Sequence, residues 1–225
     1  MDKVCTVEAA MDQVKSGMTV MIGGFGGIGN PPTMIQAMLD RDINNLTVIC
    51  NDAGFPEVGV GQLVTLGKVK KLIATHIGSN PNAGKQMHDG EMEVIFYPQG
   101  TLAEKIRAGG VGLGGVLLDV GIDGMVREGK EVVQVQEKPY MIESALTADV
   151  SIVYAKKADK YGNLIYDKSA RNTNPLMAMA GNITIAEVEE IVPTGEMDPE
   201  SIVTPGAYVD FVVPSEGVNW KWAWE

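Results

Sequence analysis

Short apolar runs alternate with amphipathic segments along the 225-residue chain. Continuous apolar runs bounded by Gly, Asn or Asp are typical of strands that are buried on both faces. The predicted strands are 19–22, 46–50, 71–74, 94–97, 150–154, 183–188 and 208–213, with a hairpin at 131–135 and 140–143; the predicted helices are 6–15, 30–41, 84–87, 101–107 and 175–180. This alternation predicts an α/β fold: an open, mainly parallel sheet with helices on both faces.

Three residues are expected to cap helices. Thr6 and Asn30 precede helical segments, and Pro31 and Pro32 suit a first helical turn. Thr101 is followed by a Glu at the spacing of a capping box, so it is predicted to begin its helix in the same way.

Composition and charge exclude several classes of protein. Apolar residues make up 45% of the chain and charged residues 21%, which excludes disorder. The net charge of −11 argues against a nucleic-acid-binding protein, because such proteins present a basic face. No apolar run reaches the ~18 residues that a membrane span needs, and no signal-peptide pattern begins the chain. Cys5 and Cys50 fit no disulfide framework, so reduced thiols in a cytoplasmic protein are expected.

A glycine-rich loop after the first strand is the clearest candidate for chemistry. Residues 24–29 have the spacing G-x-G-x-x-G, and Asp52 follows the next strand, as in dinucleotide-binding folds. In those folds the third glycine lies inside the helix, which would put Pro31 and Pro32 in a helix interior at about 3 kcal/mol each. We therefore expect the glycines to precede the helix, where their N–H groups can face an oxyanion; a simple tight turn is the alternative.

No side chain of the sequence is a convincing nucleophile. His76 is expected to be a packed or capping residue at a strand end, and His88 to be solvated in a polar turn. Glu57 and Glu216 have no neighbour that would activate them, so both are predicted to be surface carboxylates. No metal-binding motif occurs, and no metal is expected. An oxyanion loop without a reactive side chain predicts a half-site that another polypeptide completes.

Residues 17–31, which contain this loop, resemble the first signature of the alpha subunits of the family I coenzyme A (CoA) transferases. The resemblance covers about residues 3 to 213, and its other motifs are Ser79-Asn80-Pro81, Pro98-Gln99-Gly100-Thr101, Arg107-Ala108-Gly109-Gly110, Ser169-Ala170-Arg171-Asn172, Asn174-Pro175 and Val203-Thr204-Pro205-Gly206-Ala207. Within this family the chain is most similar to bacterial enzymes that use acetate, butyrate and acetoacetate. Ser16 and residues 118–124 depart from the family pattern.

The resemblance implies a reaction that needs a beta subunit. CoA would pass from an acyl-CoA to a free short-chain carboxylate, through a glutamate of the beta subunit in a Ser-Glu-Asn-Gly context that this chain lacks. That glutamate attacks the thioester to give an acyl-glutamyl anhydride and CoA thiolate. The thiolate then attacks the glutamyl carbonyl and releases the first acid. The acceptor acid reverses this path from the glutamyl–CoA thioester.

The resemblance also assigns roles to the loop. The expected CoA-binding residues are Gly23, Gly24, Phe25, Gly26, Gly27, Ile28 and Gly29, of which Gly27 and Gly29 would stabilise the oxyanion. CoA is then a substrate, and no cofactor is expected. Residues 1–213 are predicted to form the CoA-transferase domain, and 214–225 a Trp-rich tail, either exposed or docked on a partner.

Three alternative functions remain open at this point. An acyl-CoA hydrolase of the same family would pass the same intermediate to water. An anion-binding regulator could share the α/β fold. The glycine spacing alone would fit an NAD-dependent dehydrogenase, against which the two prolines argue.

Overall fold

The computed structural model describes residues 1–218, and an eight-stranded sheet forms its centre. The strands are β1 (Thr19–Ile22), β2 (Leu46–Ile49), β3 (Val69–Ala74), β4 (Glu93–Phe96), β5 (Gly115–Leu118), β6 (Val132–Val135), β7 (Lys138–Ser144), β8 (Ala148–Asp159), β9 (Leu164–Ile165), β10 (Gly181–Val192) and β11 (Phe211–Pro214). The order in the large sheet is β11-β10-β8-β1-β2-β3-β4, with β9 beside β8. Only the β8–β9 pairing in it is antiparallel, so the predicted mainly parallel sheet is confirmed.

Helices cover both faces of this sheet, as predicted. They are α1 (Val7–Met11), α2 (Pro32–Asp40), α3 (Val60–Thr65), α4 (Pro81–His88), α5 (Gln99–Gly110) and α6 (Asn174–Ala180). In β1, Val20 and Ile22 face one apolar cluster while Met21 faces the other, because side chains alternate along a strand. The first cluster contains Ala10, Met34, Leu63 and Ala83 from α1 to α4, and the second contains Leu102, Ile106 and Met177 from α5 and α6.

A second, antiparallel sheet has the strand order β5-β7-β6. The predicted hairpin is β6 and β7, joined through Gln136 and Glu137, whose φ angles of 50° and 65° suit a tight two-residue turn.

A buried ion pair joins α5 to this second sheet. Lys105 Nζ donates to Glu143 Oε2 at 2.7 Å, and each side chain is only 4% exposed. Lys130 also donates to Glu143, and Lys105 lies over the Tyr97 ring at 4.5 Å. Burial alone would raise the pKa of Glu143, but the hydrogen bonds from the two lysines outweigh it and hold that pKa below its ordinary value.

Several predicted boundaries differ from the structure. The helix expected over 6–15 ends at Met11, although Thr6 caps it by accepting from the Ala9 N–H. Helix α3 is not predicted from the sequence, because three of its six residues are β-branched and Gly61 is a poor helix former. The strands expected at 150–154 and 183–188 extend further, as β8 and β10. Their carboxyl-terminal halves pair mainly with each other and carry charged side chains, including the ion pair Lys156–Glu189, so they lack the apolar run of a buried strand. Residues 206–208 form a 3₁₀ turn rather than the start of the last strand.

The predicted capping box at Thr101 is wrong. Pro98 is the N-cap residue of α5, so Thr101 is the third residue of the helix, where it is 3% exposed. Its hydroxyl has no hydrogen-bond partner within residues 1–218. Glu104 instead pairs with Arg107 one turn further along.

Candidate active site

The glycine-rich loop, defined here as residues 23–29, joins β1 to α2 at the carboxyl end of the sheet. Because β1 lies between β2 and β8, the loop starts at the middle of that edge, where open α/β sheets bind ligands. Helix α2 begins only at Pro32, so the glycines lie outside the helix, as the two prolines predicted. Gly27 and Gly29 have φ angles of +90° and +79°, a region that L-residues with side chains rarely adopt.

Most N–H groups of the loop already have acceptors inside the chain. The bonds run from Gly23 to the Ile152 carbonyl, Gly24 to the Thr173 hydroxyl, Phe25 to the Ile28 carbonyl, Gly26 to the Asp52 carboxylate and Ile28 to the Phe25 carbonyl. Within residues 1–218, the N–H groups of Gly27 and Gly29 alone in the loop donate to no acceptor. Both residues are buried, and a buried N–H without an acceptor costs free energy that a ligand can recover.

The side chain of Asp52 fixes the loop through hydrogen bonds. It is 3% exposed, and its carboxylate accepts from the N–H of Gly26 at 2.9 Å, from the N–H of Gly54 and from the Asn51 side chain. This carboxylate is buried and bonds to the loop, whereas the acidic residue of the dinucleotide fingerprint is presented to a ribose hydroxyl.

Asn30 does not cap α2, contrary to prediction. Its Nδ2 donates to the Gly23 carbonyl and its Oδ1 accepts from the Val60 N–H at 2.9 Å. It therefore ties the first residue of the loop to α3. Pro31 takes the N-cap position without a side-chain bond.

The cap of α2 is supplied by Glu187, from strand β10. This fully buried carboxylate accepts from the N–H groups of Thr33 at 3.1 Å and Met34 at 3.0 Å, and from the Ser215 hydroxyl at 2.6 Å. Burial raises the pKa of Glu187, since the charged form loses hydration. The carboxylate satisfies N–H groups that no residue before the helix reaches.

Residues 172–174 hold the other side of the loop. Asn172 Nδ2 donates to the Ile28 carbonyl at 3.0 Å, and Asn174 Nδ2 donates to the Gly29 carbonyl at 3.0 Å. Asn174 is fully buried and also accepts from the N–H of Tyr154 in β8. The sequence motifs included these residues but gave no sign of this role, because the contacts span about 145 positions.

A cavity of about 270 Å³ opens beside the loop. One wall is apolar and comes from α5 and α6; polar side chains lie near the loop. The lining residues are Phe25, Asn51, Gln99, Leu102, Ala103, Ile106, Asn172, Thr173 and Leu176. Gln99 donates to the Asn51 amide oxygen at 2.9 Å, which fixes both side chains at the carboxyl ends of β2 and β4.

The remaining sequence candidates do not contribute a nucleophile. Glu57 and Glu216 are exposed, as predicted for surface carboxylates. His88 is exposed at the end of α4 rather than in a turn. His76 is also exposed, so the prediction of a packed residue is wrong; it is the backbone carbonyl of His76 that accepts, from the Ala53 N–H.

The comparisons with known proteins identify the family. The sequence profile of the coenzyme A transferase family matches residues 4–215, and the chain belongs to this family. It corresponds to the alpha subunit of such an enzyme, since it aligns with alpha subunits over nearly its whole length.

Two relatives and one solved structure illustrate the match. The chain is 60% identical to a probable coenzyme A transferase alpha subunit of Bacillus subtilis, over 99% of this chain and 98% of that protein. It is 46% identical to the acetate CoA-transferase alpha subunit of Escherichia coli K12, over 95% and 97%. An E. coli O157:H7 acyl-CoA transferase, solved as a thioester complex with CoA, superposes with a TM-score of 0.82 at 24% identity, over 97% of this chain and 50% of that one. This chain thus spans half of that enzyme. These matches give no support to the hydrolase or dehydrogenase alternatives.

Within residues 1–218, no helix is long and apolar enough to cross a bilayer. The three tryptophans of the predicted 214–225 tail lie outside the described residues.

Proposed function

We propose that this chain is the alpha subunit of a short-chain acyl-CoA:carboxylate CoA-transferase and supplies the oxyanion-binding loop to a glutamate of a beta subunit. The observation that carries the proposal is the hydrogen bonding of the loop. Five of its seven N–H groups are used internally, and the two left without an acceptor within residues 1–218 are those of Gly27 and Gly29.

These two donors suit each covalent step of the transfer. When the partner glutamate attacks the thioester, the carbonyl oxygen of the acyl group gains negative charge, and CoA leaves as a thiolate. When the thiolate attacks the resulting anhydride, the glutamyl oxygen gains charge and the first acid departs as a carboxylate. A fixed N–H donor aimed at such an oxygen contributes about 2.7–4 kcal/mol to transition-state stabilisation.

Substitution of the loop glycines tests this role. Gly27→Val or Gly29→Val in the alpha–beta complex is expected to lower kcat by roughly 100-fold or more, since one donor is worth that much. A Cβ at Gly29 would lie 2.8 Å from the Ala170 carbonyl oxygen, and one at Gly27 2.9 Å from a Val58 methyl group. Gly90→Val is the matched control, because Gly90 has a similar φ of +74° with open space around it. Near-normal turnover of an assembled Gly27→Val or Gly29→Val complex contradicts the proposal.

The covalent route gives a second test. The first acid leaves before the second binds, so the complex is expected to show ping-pong kinetics. Incubation with acyl-CoA alone should place a CoA thioester on the beta chain, and borohydride should inactivate the complex only after that incubation. The alpha chain alone should be inactive. Intersecting double-reciprocal plots, or a CoA adduct on Glu57 or Glu216, would contradict the assignment of the chemistry to the beta chain.

The cavity supports a short acyl group as the substrate. Its 270 Å³ is below the ~300–1,000 Å³ usual for small-molecule sites, and its α5 wall is apolar. Ala103→Phe should fill this space and raise the KM for butyrate more than the KM for acetate. Gly100→Ala, one turn earlier on α5 with open space at its Cβ, is the control. Equal effects on both acids would exclude this cavity as the acyl site.

CoA is a substrate in this proposal, and no further cofactor takes part. A cytoplasmic location is proposed because both cysteines are free and acyl-CoA is an intracellular metabolite. Residues 1–213 are proposed as the catalytic domain, with the tail from 214 as a separate segment.

A further inference from the structure

Five hydrogen bonds fix the Asn172 side chain beside the loop. Its Nδ2 donates to the Ile28 carbonyl at 3.0 Å and to the Ser169 carbonyl at 2.7 Å. Its Oδ1 accepts from the N–H of Thr173 at 2.6 Å, from the Thr173 hydroxyl at 3.3 Å and from Asn174 Nδ2 at 3.5 Å. Since carbonyls only accept and an N–H only donates, the orientation of this amide is fully determined by its partners.

The contact with Ile28 acts on one particular peptide unit. The Ile28 carbonyl and the Gly29 N–H belong to the same planar trans peptide, so they point in opposite directions. Holding the oxygen on one side therefore directs the N–H to the other. Gly29 permits almost any orientation of this peptide, because glycine restricts φ and ψ so little. Inside the loop the Phe25 N–H holds the carbonyl of this peptide with one hydrogen bond of 2.9 Å, and Asn172 adds a second donor from outside the loop.

We propose that Asn172 is a positioning residue that aims the Gly29 N–H at the oxyanion by fixing the Ile28–Gly29 peptide through its bond to the Ile28 carbonyl. The inference rests on the proposed function of the loop. It assigns to Asn172 a role in the rate of the chemical steps and none in the binding of CoA.

The neighbouring side chains Asn174 and Thr173 bond to other peptides of the loop. Asn174 bonds to the Gly29 carbonyl, whose peptide carries the N–H of Asn30, and that N–H already donates to the Gly27 carbonyl. Thr173 bonds to Gly24 at the start of the loop. Among residues 1–218, Asn172 is thus the side chain that holds the peptide of a donor left without an acceptor.

The variant Asn172→Asp tests this role, because it keeps the shape and the acceptor for Thr173 but replaces the donor with an oxygen. At neutral pH this oxygen repels the Ile28 carbonyl, so kcat of the alpha–beta complex is expected to fall roughly 10- to 100-fold. The upper figure corresponds to the complete loss of one oxyanion donor. The KM values for acyl-CoA and carboxylate should stay within about twofold, since uniform binding is unaffected.

The pH dependence separates positioning from general damage. At lower pH the introduced carboxyl group becomes protonated and can again donate to the Ile28 carbonyl, and two facing carbonyl oxygens favour this neutral form. The ratio of kcat for Asn172→Asp to that of the unsubstituted complex should therefore rise several-fold as the pH falls from about 8 to 5.5, a range that brackets a raised carboxyl pKa. Asn172→Ala introduces no titrating group, so the ratio of its kcat to that of the unsubstituted complex should be low and independent of pH.

Three outcomes would overturn the inference: unchanged kcat in either variant, a rise in KM that accounts for the whole loss, or pH-independent ratios in both variants. If Asn172→Asp fails to assemble with the beta chain, Asn172→Ala tests the inference instead: its kcat should fall while its KM values stay nearly unchanged. Failure of the proposed function is distinguishable, because Gly29→Val would then also retain turnover. Loss of activity in Gly29→Val with normal kcat in both Asn172 variants overturns only the positioning role.

Discussion

Removal of the buried carboxylate of Glu143 should destabilise the chain more than removal of the lysine with which it pairs. Glu143→Leu removes the carboxylate partner of the Lys105 ammonium, which is 4% exposed and shares the Tyr97 ring with the ammonium of Lys130. An uncompensated buried charge costs about 3–5 kcal/mol. Lys105→Met is milder, because Glu143 keeps its bond to Lys130, which is itself 22% exposed. For Lys105→Met we expect the free energy of unfolding to fall by about half as much as in Glu143→Leu.

The double variant Lys105→Met/Glu143→Leu removes both buried charges and should recover most of the stability, since apolar replacements of a buried pair are often nearly neutral. Urea titrations followed by circular dichroism would measure the three free energies of unfolding. For a chain of this length the melting temperature should fall by about 6–20 °C in Glu143→Leu, at 2–4 °C per kcal/mol. A larger loss in Lys105→Met than in Glu143→Leu, or a double variant that shows the sum of the single losses, would refute this reasoning.

Two further predictions concern buried titratable groups. Burial holds the pKa of Glu187 above its ordinary value of 4.5, so the folded state binds its proton more tightly, and the stability of the wild type relative to Glu187→Gln should fall as the pH rises from about 4.5 through that pKa. Unfolding titrations at several pH values measure this difference, and a constant or rising difference contradicts it. Burial also raises the pKa of Cys50 well above its ordinary value, whereas Cys5 is only half-buried, so iodoacetamide should label Cys5 first and Cys50 only after denaturation. Mass spectrometry of the labelled chain measures the two labelling rates, and equal rates for Cys5 and Cys50 would contradict the prediction.

Local sequence determined some elements of the fold well. The apolar run of β1 predicted a strand buried on both faces, and Val20 and Met21 do face different clusters. Pro31 and Pro32 predicted that the glycines precede the helix, since their chemistry alone excludes a helix interior. These are effects of a residue on its own neighbourhood.

The supports of the site could not be predicted in this way. Asn30 precedes a helix like a cap, but its side chain is drawn to Gly23 and Val60, and the cap comes from Glu187, more than 150 positions away. Asn172 is likewise an ordinary polar residue until β8 and α6 bring it to the loop. Tertiary contacts decided these roles, and local propensity carries no information about them.

The position of β1 in the sheet has a consequence for biosynthesis. Among the strands described it is synthesised first, yet one of its two neighbours is β8, and the Thr19–Asp149 contact beside that pairing joins residues 130 positions apart. At ~5–20 residues per second, β1 waits about 7–26 s with one edge unpaired, exposed to other nascent chains. Asn172 emerges later still, so the loop reaches its final form only when most of the chain has been translated. A beta chain that recognises the finished loop would therefore select completed alpha chains over truncated ones.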